Sequence, residues 1–431
     1  MKKKLEIADI RQQFVIEGGK KLTGTIDVRG SKNATAPILA ATILTKEECI
    51  LKNVPHIEDV VALSEILKSM GARVVWIDRH TLSVCCKKLY PEKIDISLVK
   101  KIRLSILLLG SLSVRFDAFK LYHPGGCKIG IRPVGTHFDA LLKMGVDVRQ
   151  KDNIYFIDAS KKHAENITLR EFSPTATENI MMLAASIEGK TRIKIAAAEP
   201  HVEDLGRFLQ KMGAKIKGLG THTLEIEGQK TLKGAQHTII ADANEAATFL
   251  ILGAATKSDI VVTNAREEHL DLVLEKMREF GVSFEIRKNS IRVIPARKLK
   301  SVAKIDARIY PGVPTDVQAP FGVLATQAEG TTMIHDTLFE GRFNYVGELQ
   351  KMGANAHILN PHQAVFTGPT QLLGTSINSF DLRAGAALII AALIAKGKTI
   401  VRDAYQVDRG YEQIEERLRG IGANIERQWE S

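Results

Sequence analysis

Three cations stand where a helix does not favour them. Lys32, Arg103 and Arg383 each fall near the predicted start of a strongly apolar helix, in SKNATAPILAATIL, IRLSILLLGSL and DLRAGAALIIAAL. A helix start offers unpaired N–H groups and the positive end of the dipole, so a cation there calls for an anionic partner. Several such starts converging make an anion site. Other apolar helices open on Ser173 and Thr175, on Asp242 and Glu245, on Asp316, and on Asp381, while Asn33 follows Lys32. Ser173 and Asp242 read equally well as ordinary N-caps, and Asp242 with Glu245 fits a capping box.

A second feature is the glycine-rich stretch YHPGGCKIGIRPVGTH, which sets Cys127 among Gly125, Gly126 and Gly130 beside Lys128 and Arg132. Thiols near cations and exposed N–H groups have lowered pKa values, so Cys127 is a candidate for proton exchange near neutral pH. A lone cysteine is more often inert, and Cys49, Cys85 and Cys86, in or beside apparent strands, carry no such signal. No C-x-x-C pair occurs, so neither a zinc site nor a disulfide is expected.

The elements that must position these residues repeat. An amphipathic helix ending in glycine, followed by an alternating strand, occurs six times: ILKSMGARVVW, ALLKMGVDVRQ, FLQKMGAKIKG, KMREFGVSFEI, ELQKMGANAHI and RLRGIGANIER. The glycines are Gly71, Gly145, Gly213, Gly281, Gly353 and Gly422, spaced 68 to 74 residues apart. Each reads as a left-handed helix cap. Upstream of each lies a helix apolar nearly all round, hence buried. Units this long exceed solenoid repeats, and three of them around their buried helices make one domain. The expected domains are 31–239, holding the cysteine loop at about 123–136, and 1–30 with 240–431, the leading strand FVIEGGKKLTGTIDVRG completing the second. A cleft between two such domains is the preferred place for a ligand.

Composition sets outer limits. The chain has 431 residues, 45% hydrophobic and 25% charged, and a net charge of +11, which suits an anionic ligand without demanding one. No apolar run reaches signal-peptide or membrane-span length, so a cytoplasmic protein off the membrane is expected. No basic run interleaved with aromatics suggests nucleic-acid binding.

Together these residues resemble the UDP-N-acetylglucosamine enolpyruvyl transferases across nearly the whole chain. The matching segments run from GTIDVRGSKNATAPIL through PGGCKIGIRPVGTHFDAL, YPGVPTDVQAPF, LFEGRFNYVGELQKMGA and SFDLRAGAALIIAAL to YQVDRGYEQIEERLRGIGANIE. The resemblance implies an α/β fold, a two-domain inside-out α/β barrel of six βαβαββ-like repeats, three per domain, with the active site in the cleft. It implies transfer of enolpyruvyl from phosphoenolpyruvate to the 3-hydroxyl of UDP-N-acetylglucosamine, releasing phosphate, with no metal or organic cofactor. By the same resemblance Lys32, Arg132 and Arg409 hold phosphoenolpyruvate, Arg342 and Arg383 complete the basic surround, and Asn33 touches the acceptor sugar. Cys127 matches the proton donor and Asp316 the carboxylate at the acceptor hydroxyl; with Lys32 and Arg409 they form the implied catalytic set. Arg103, Arg132, Pro133, Val134, Gly135, Thr136, Ser173 and Leu338 are the implied acceptor-side positions. Asp381 matches a family aspartate that either positions its turn or pairs with an arginine. The implied state is monomer or weak homo-oligomer.

Departures cluster on the nucleotide side. The family's Ser-Val-Gly-Ala-Thr is here Ser173 to Thr177 with Pro174 and Thr175, a lysine of some members is Glu171, an aspartate is Gly135, and an arginine is Ala243. Ala198 replaces another arginine, and Ala246 and Ala247 stand for Thr-Gly. Two alternatives therefore stay open: the same chemistry on another uridine nucleotide or sugar nucleotide, and a non-catalytic sugar-nucleotide-binding paralogue.

Overall fold

The glycines that end the amphipathic helices all adopt the left-handed conformation, with φ of +101° at Gly71, +74° at Gly145, +113° at Gly213, +85° at Gly281, +91° at Gly353 and +97° at Gly422. Each turns the chain from surface helix into strand. The structure is a computed structural model and describes residues 12–126, 130 and 133–430. Its residues cluster into two units, one of 1–28, 128–130 and 243–431, the other of 29–127 and 131–242.

In the 243–431 unit the repeat is complete three times over. Strand Lys304–Ala307, buried helix Gln318–Ala325, strand Gly330–Asp336, helix Asn344–Lys351 and strands Asn355–Asn360 and Gln363–Gly368 form one βαβαββ module. Its sheet pairs the first two strands in parallel and the rest antiparallel. The other two modules borrow from the N-terminal segment, which is two strands and not one. Thr23–Asp27 runs parallel to Asp259–Thr263. Gln12–Glu17 lies between Lys398–Arg402 and Asn424–Trp429, antiparallel to both. The helices Ala243–Ala255, Gln318–Ala325 and Leu382–Ile394 are almost wholly buried, so helices fill the interior and sheets face outward.

The 29–242 unit follows the same plan with one module altered. Helix Lys32–Ala41 belongs to a sheet whose leading strand, Gln236–Thr238, comes from the far end of the unit and pairs in parallel with Glu48–Lys52. Among the described residues the second module has no leading strand: its sheet, from Ala118–Tyr122, Ile154–Asp158 and Asp147–Lys151, has three strands. Its apolar segment, read in the sequence as one helix, is a 3-10 turn Arg103–Leu107 followed by helix Leu108–Arg115. Asn179 joins the two pieces. Its Oδ1 accepts the Gly110 N–H at 2.7 Å while its Nδ2 donates to the Ile106 carbonyl at 3.2 Å and to that of Thr175 at 2.9 Å. A buried amide thus satisfies donors and acceptors that the helix break would orphan.

Helix Pro174–Ala185 starts where Ser173 and Thr175 mark it in the sequence, which puts Glu178 in its second turn, 2% exposed. Burial raises its pKa well above the usual carboxylate range, and the neighbouring Glu199 raises it further. The native protein therefore keeps this proton to higher pH than the unfolded chain, whose carboxyl titrates near about 4.3. Stability must fall as pH rises above that value. Glu178→Gln, which mimics the neutral acid, is expected to raise the urea midpoint at about pH 8 and leave it nearly unchanged near about pH 4. Parallel pH curves for parent and variant would refute the neutral assignment.

Candidate active site

In the 243–431 unit two of the predicted residues, Arg342 and Arg383, meet at a third, Asp316, which lies in a 3-10 turn Thr315–Val317 ahead of a buried helix. Its Oδ1 accepts from Arg342 Nη2 at 2.7 Å and its Oδ2 from Arg383 Nε at 3.1 Å. Asn244 Nδ2 reaches Oδ2 at 3.4 Å, a contact sequence reasoning missed although Asn244 opens an apolar helix beside Asp242. Arg383 is 2% exposed and Arg342 8%. Two buried guanidiniums on one carboxylate leave the cluster with surplus positive charge, which an anion would complete.

Each arginine is held by its element. Arg383 is the second residue of helix Leu382–Ile394, where the N-cap Asp381 accepts the N–H groups of Arg383 and Ala384 at 2.9 and 3.0 Å. The guanidinium of Arg342 lies 5.4 Å from the Phe339 ring centroid and that of Arg383 5.3 Å from that of Tyr411. Arg409 follows the helical turn Tyr405–Asp408, is buried, and donates to Gln406 Oε1 at 3.3 Å. Leu338 is partly exposed, its N–H bonded to buried Asp336, which also takes the Phe339 N–H and the Thr315 hydroxyl.

In the 29–242 unit, Ser31 caps helix Lys32–Ala41 by accepting the Ala34 N–H. Lys32 Nζ lies 3.5 Å from Asp59 Oδ2, and its backbone N–H reaches Asp242 Oδ2 at 3.4 Å. For Lys32, as for Arg383, a side-chain carboxylate offsets the unfavourable dipole. Asp59, the second residue of helix Glu58–Ser69, carried no sequence signal beyond an acidic first turn. Asn33 is half-buried beside Lys32.

Arg103 opens the 3-10 turn, and burial lowers its pKa. Its charge reaches three neighbours that the sequence did not single out. Burial and Arg103 together lower His123, and they push His137 down to about 4, so His137 is neutral at pH 7. Tyr155, raised by burial, bonds His123. Gly126, with φ +112°, has room only for hydrogen, since a Cβ would stand 2.9 Å from the Arg103 Cβ. The starts of helices Gly135–Lys143 and Pro174–Ala185 are tied together by Thr136 Oγ1 donating to Glu171 Oε1 at 2.8 Å and by His137 Nε2 bonded to Thr175 Oγ1 at 2.9 Å. Ser173 caps the second helix. Pro133 and Gly135 are exposed and Val134 is half-buried. Cys127 and Arg132 lie outside the described residues. Among the described residues no group of three or more His, Cys, Asp or Glu could hold a metal ion, and no helix is long and apolar enough to cross a membrane.

Residues 16–418 match the family model described as EPSP synthase (3-phosphoshikimate 1-carboxyvinyltransferase). The chain belongs to this enolpyruvyl transferase family. It is 41% identical over 418 residues to the UDP-N-acetylglucosamine 1-carboxyvinyltransferase of Koribacter versatilis, covering 96% of each chain. To the protein of that name from Wolinella succinogenes it is 43% identical over 415 residues, 96% of this chain and 98% of the other. Among solved structures, the enolpyruvyl transferase NikO from Streptomyces tendae superposes with a TM-score of 0.89 over 98% of this chain and 100% of its own, at 24% identity. EPSP synthase from Acinetobacter baumannii gives 0.71 over 97% and 100%, at 17% identity. Both likenesses place the fold, an inside-out α/β architecture, within the family.

Proposed function

We propose that this enolpyruvyl transferase moves the enolpyruvyl group of phosphoenolpyruvate onto the 3-hydroxyl of UDP-N-acetylglucosamine, the step that commits the sugar nucleotide to peptidoglycan synthesis. The observation that carries this reading is the likeness, over nearly full length, to proteins named for that reaction. The Asp316–Arg342–Arg383 cluster agrees with it, because two guanidiniums beside one carboxylate suit the phosphate and carboxylate of an anionic donor placed next to a proton acceptor.

In this reading Cys127 protonates carbon three of phosphoenolpyruvate, and the acceptor oxygen bonds to carbon two as its proton passes to Asp316. The phosphate-bearing adduct then loses phosphate and a carbon-three proton, leaving the enol ether. Lys32, Arg132, Arg342, Arg383 and Arg409 take the phosphate and carboxylate charges, and Asn33, Arg103, Thr136, Ser173 and Leu338 serve the acceptor side. The protein acts in the cytoplasm, in cell-wall growth and hence in shape and division, and is a target of the epoxide fosfomycin.

A second reading keeps the chemistry and changes the acceptor to another uridine or sugar nucleotide. It is favoured by Glu171, a carboxylate bonded to Thr136 at an acceptor-side helix start. Phosphate release from purified protein, phosphoenolpyruvate and a set of acceptors separates the two. Release with UDP-N-acetylglucosamine is expected; release only with another nucleotide would replace the first reading, and none at all would end both. Cys127→Ala is expected to abolish turnover and block alkylation by fosfomycin, whereas full activity would remove Cys127 from the mechanism.

A further inference from the structure

The segment that carries Arg409 has little local reason to hold its shape. Its helical turn, Tyr405–Asp408, is four residues long, far below the length at which a helix sustains itself. It is bracketed by two non-glycine residues in the left-handed region, Asp403 at φ +57° and Gln413 at +42°. Such residues persist only where the surroundings over-determine them.

Arg427, on strand Asn424–Trp429, supplies one such tie to the surroundings. Its Nη1 and Nη2 donate to Asp408 Oδ2 and Oδ1, both at 2.7 Å. Its Nε and Nη2 donate to Glu415 Oε1 at 2.7 Å and Oε2 at 3.0 Å. Its Nη1 also reaches Gln12 Oε1 at 3.0 Å. A guanidinium has five N–H donors, and these contacts use them all. The flat face lies 4.8 Å from the Phe14 ring centroid. One planar group therefore clamps the residue before Arg409 and the helix Ile414–Gly420 after it onto strands Asn424–Trp429 and Gln12–Glu17. Farther along the same segment, the Tyr411 hydroxyl bonds Thr248 Oγ1 at 2.9 Å, so the segment is fastened on both sides of Arg409. The fork geometry is specific to arginine, because an ammonium cannot serve two carboxylates bidentately.

We propose that Arg427 is a positioning residue for Arg409: by clamping Asp408 and Glu415 it fixes the turn that presents Arg409 to phosphoenolpyruvate. This rests on the reading above, in which Arg409 binds that substrate. The test measures KM for phosphoenolpyruvate and for the acceptor, kcat and melting temperature in the full chain for Arg427→Lys, Arg427→Met, Asp408→Asn and Arg409→Lys. A positioning role predicts a KM for phosphoenolpyruvate raised about tenfold or more in Arg427→Met and Asp408→Asn, with acceptor KM within about twofold. Arg427→Lys should fall between parent and Arg427→Met. The double variant Arg427→Met/Asp408→Asn should be no worse than the poorer single, as for two members of one device. A residue that only stabilises the fold would lower melting temperature and the active fraction and leave both KM values alone. Unchanged phosphoenolpyruvate KM in the folded Arg427→Lys and Asp408→Asn proteins, or equal shifts for both substrates, overturns the proposal. Should Arg409→Lys leave that KM unchanged, the assignment of Arg409 itself is what fails, and the positioning role fails with it.

Discussion

Asp316→Asn is expected to lower kcat by about 10²- to 10⁴-fold, the range lost when a positioned general base is removed. The substitution keeps the size of the side chain and an oxygen that Arg342 or Arg383 can still bond, so the loss reads the charge and the proton-accepting ability. It also leaves two guanidiniums, 8% and 2% exposed, without their shared negative charge. Removing the shared partner of two buried cations destabilises the fold, so a lowered melting temperature accompanies the lost turnover. The two consequences are separable. Inorganic phosphate, by occupying the vacated charge, should raise the melting temperature of Asp316→Asn more than that of the parent. A folded variant with kcat within about tenfold of the parent would remove Asp316 from the base role. Equal phosphate stabilisation of both proteins would remove the charge-balance account.

Gly110→Ala is expected to have the largest effect on stability. A Cβ there would stand 2.2 Å from the Asn179 carbonyl oxygen and 2.9 Å from its Cα, so helix Leu108–Arg115 must retreat from helix Pro174–Ala185. No side-chain rotation relieves contact with backbone. Forcing extra atoms into a filled core costs about 1–3 kcal/mol and sometimes more. The same retreat stretches the 2.7 Å bond from Gly110 N–H to Asn179, leaving a buried donor and acceptor unmet, for about 1–3 kcal/mol further. A loss of about 3 kcal/mol or more in a urea titration is expected; less than about 1 kcal/mol would show that the helices can part freely.

Local features carried the parts of the fold that were legible in the sequence. The six left-handed glycines and the six all-round apolar segments announce themselves within a dozen residues, because cap conformation and burial act over one or two turns. The positions where a helix start bears a cation were legible for the same reason. Pairings over long separations were not. Nothing near Asp316 points to Arg383, 67 residues away, or to Arg342, 26 away. Nothing near Asp408 points to Arg427, which shares the inward face of its strand with Ile425 and lies opposite Phe14, a position where the alternation calls only for an apolar residue. The leading segment reads as one strand because its glycines, Gly18 and Gly19, permit either continuation or a turn. The break at Arg103–Leu107 was hidden because a 3-10 turn and an α-helix share an apolar composition, and the decisive group, Asn179, lies 73 residues from Ile106.

The strand Gln12–Glu17 completes a sheet whose neighbours are Lys398–Arg402 and Asn424–Trp429. During synthesis it leaves the ribosome long before either partner exists. The tie between Gln12 and Arg427 spans 415 positions, so at ~5–20 residues per second the first strand waits on the order of 20–80 s for its place. The sheets of residues 29–242 draw on strands within that range, so their longest wait, that of Glu48–Lys52 for Gln236–Thr238, ends well before the chain does. The order of translation thus lets the Lys32-bearing unit mature while the unit holding Asp316 is still being made, and leaves Phe14 and Ile16 without the late strands that bury them until the chain is nearly finished.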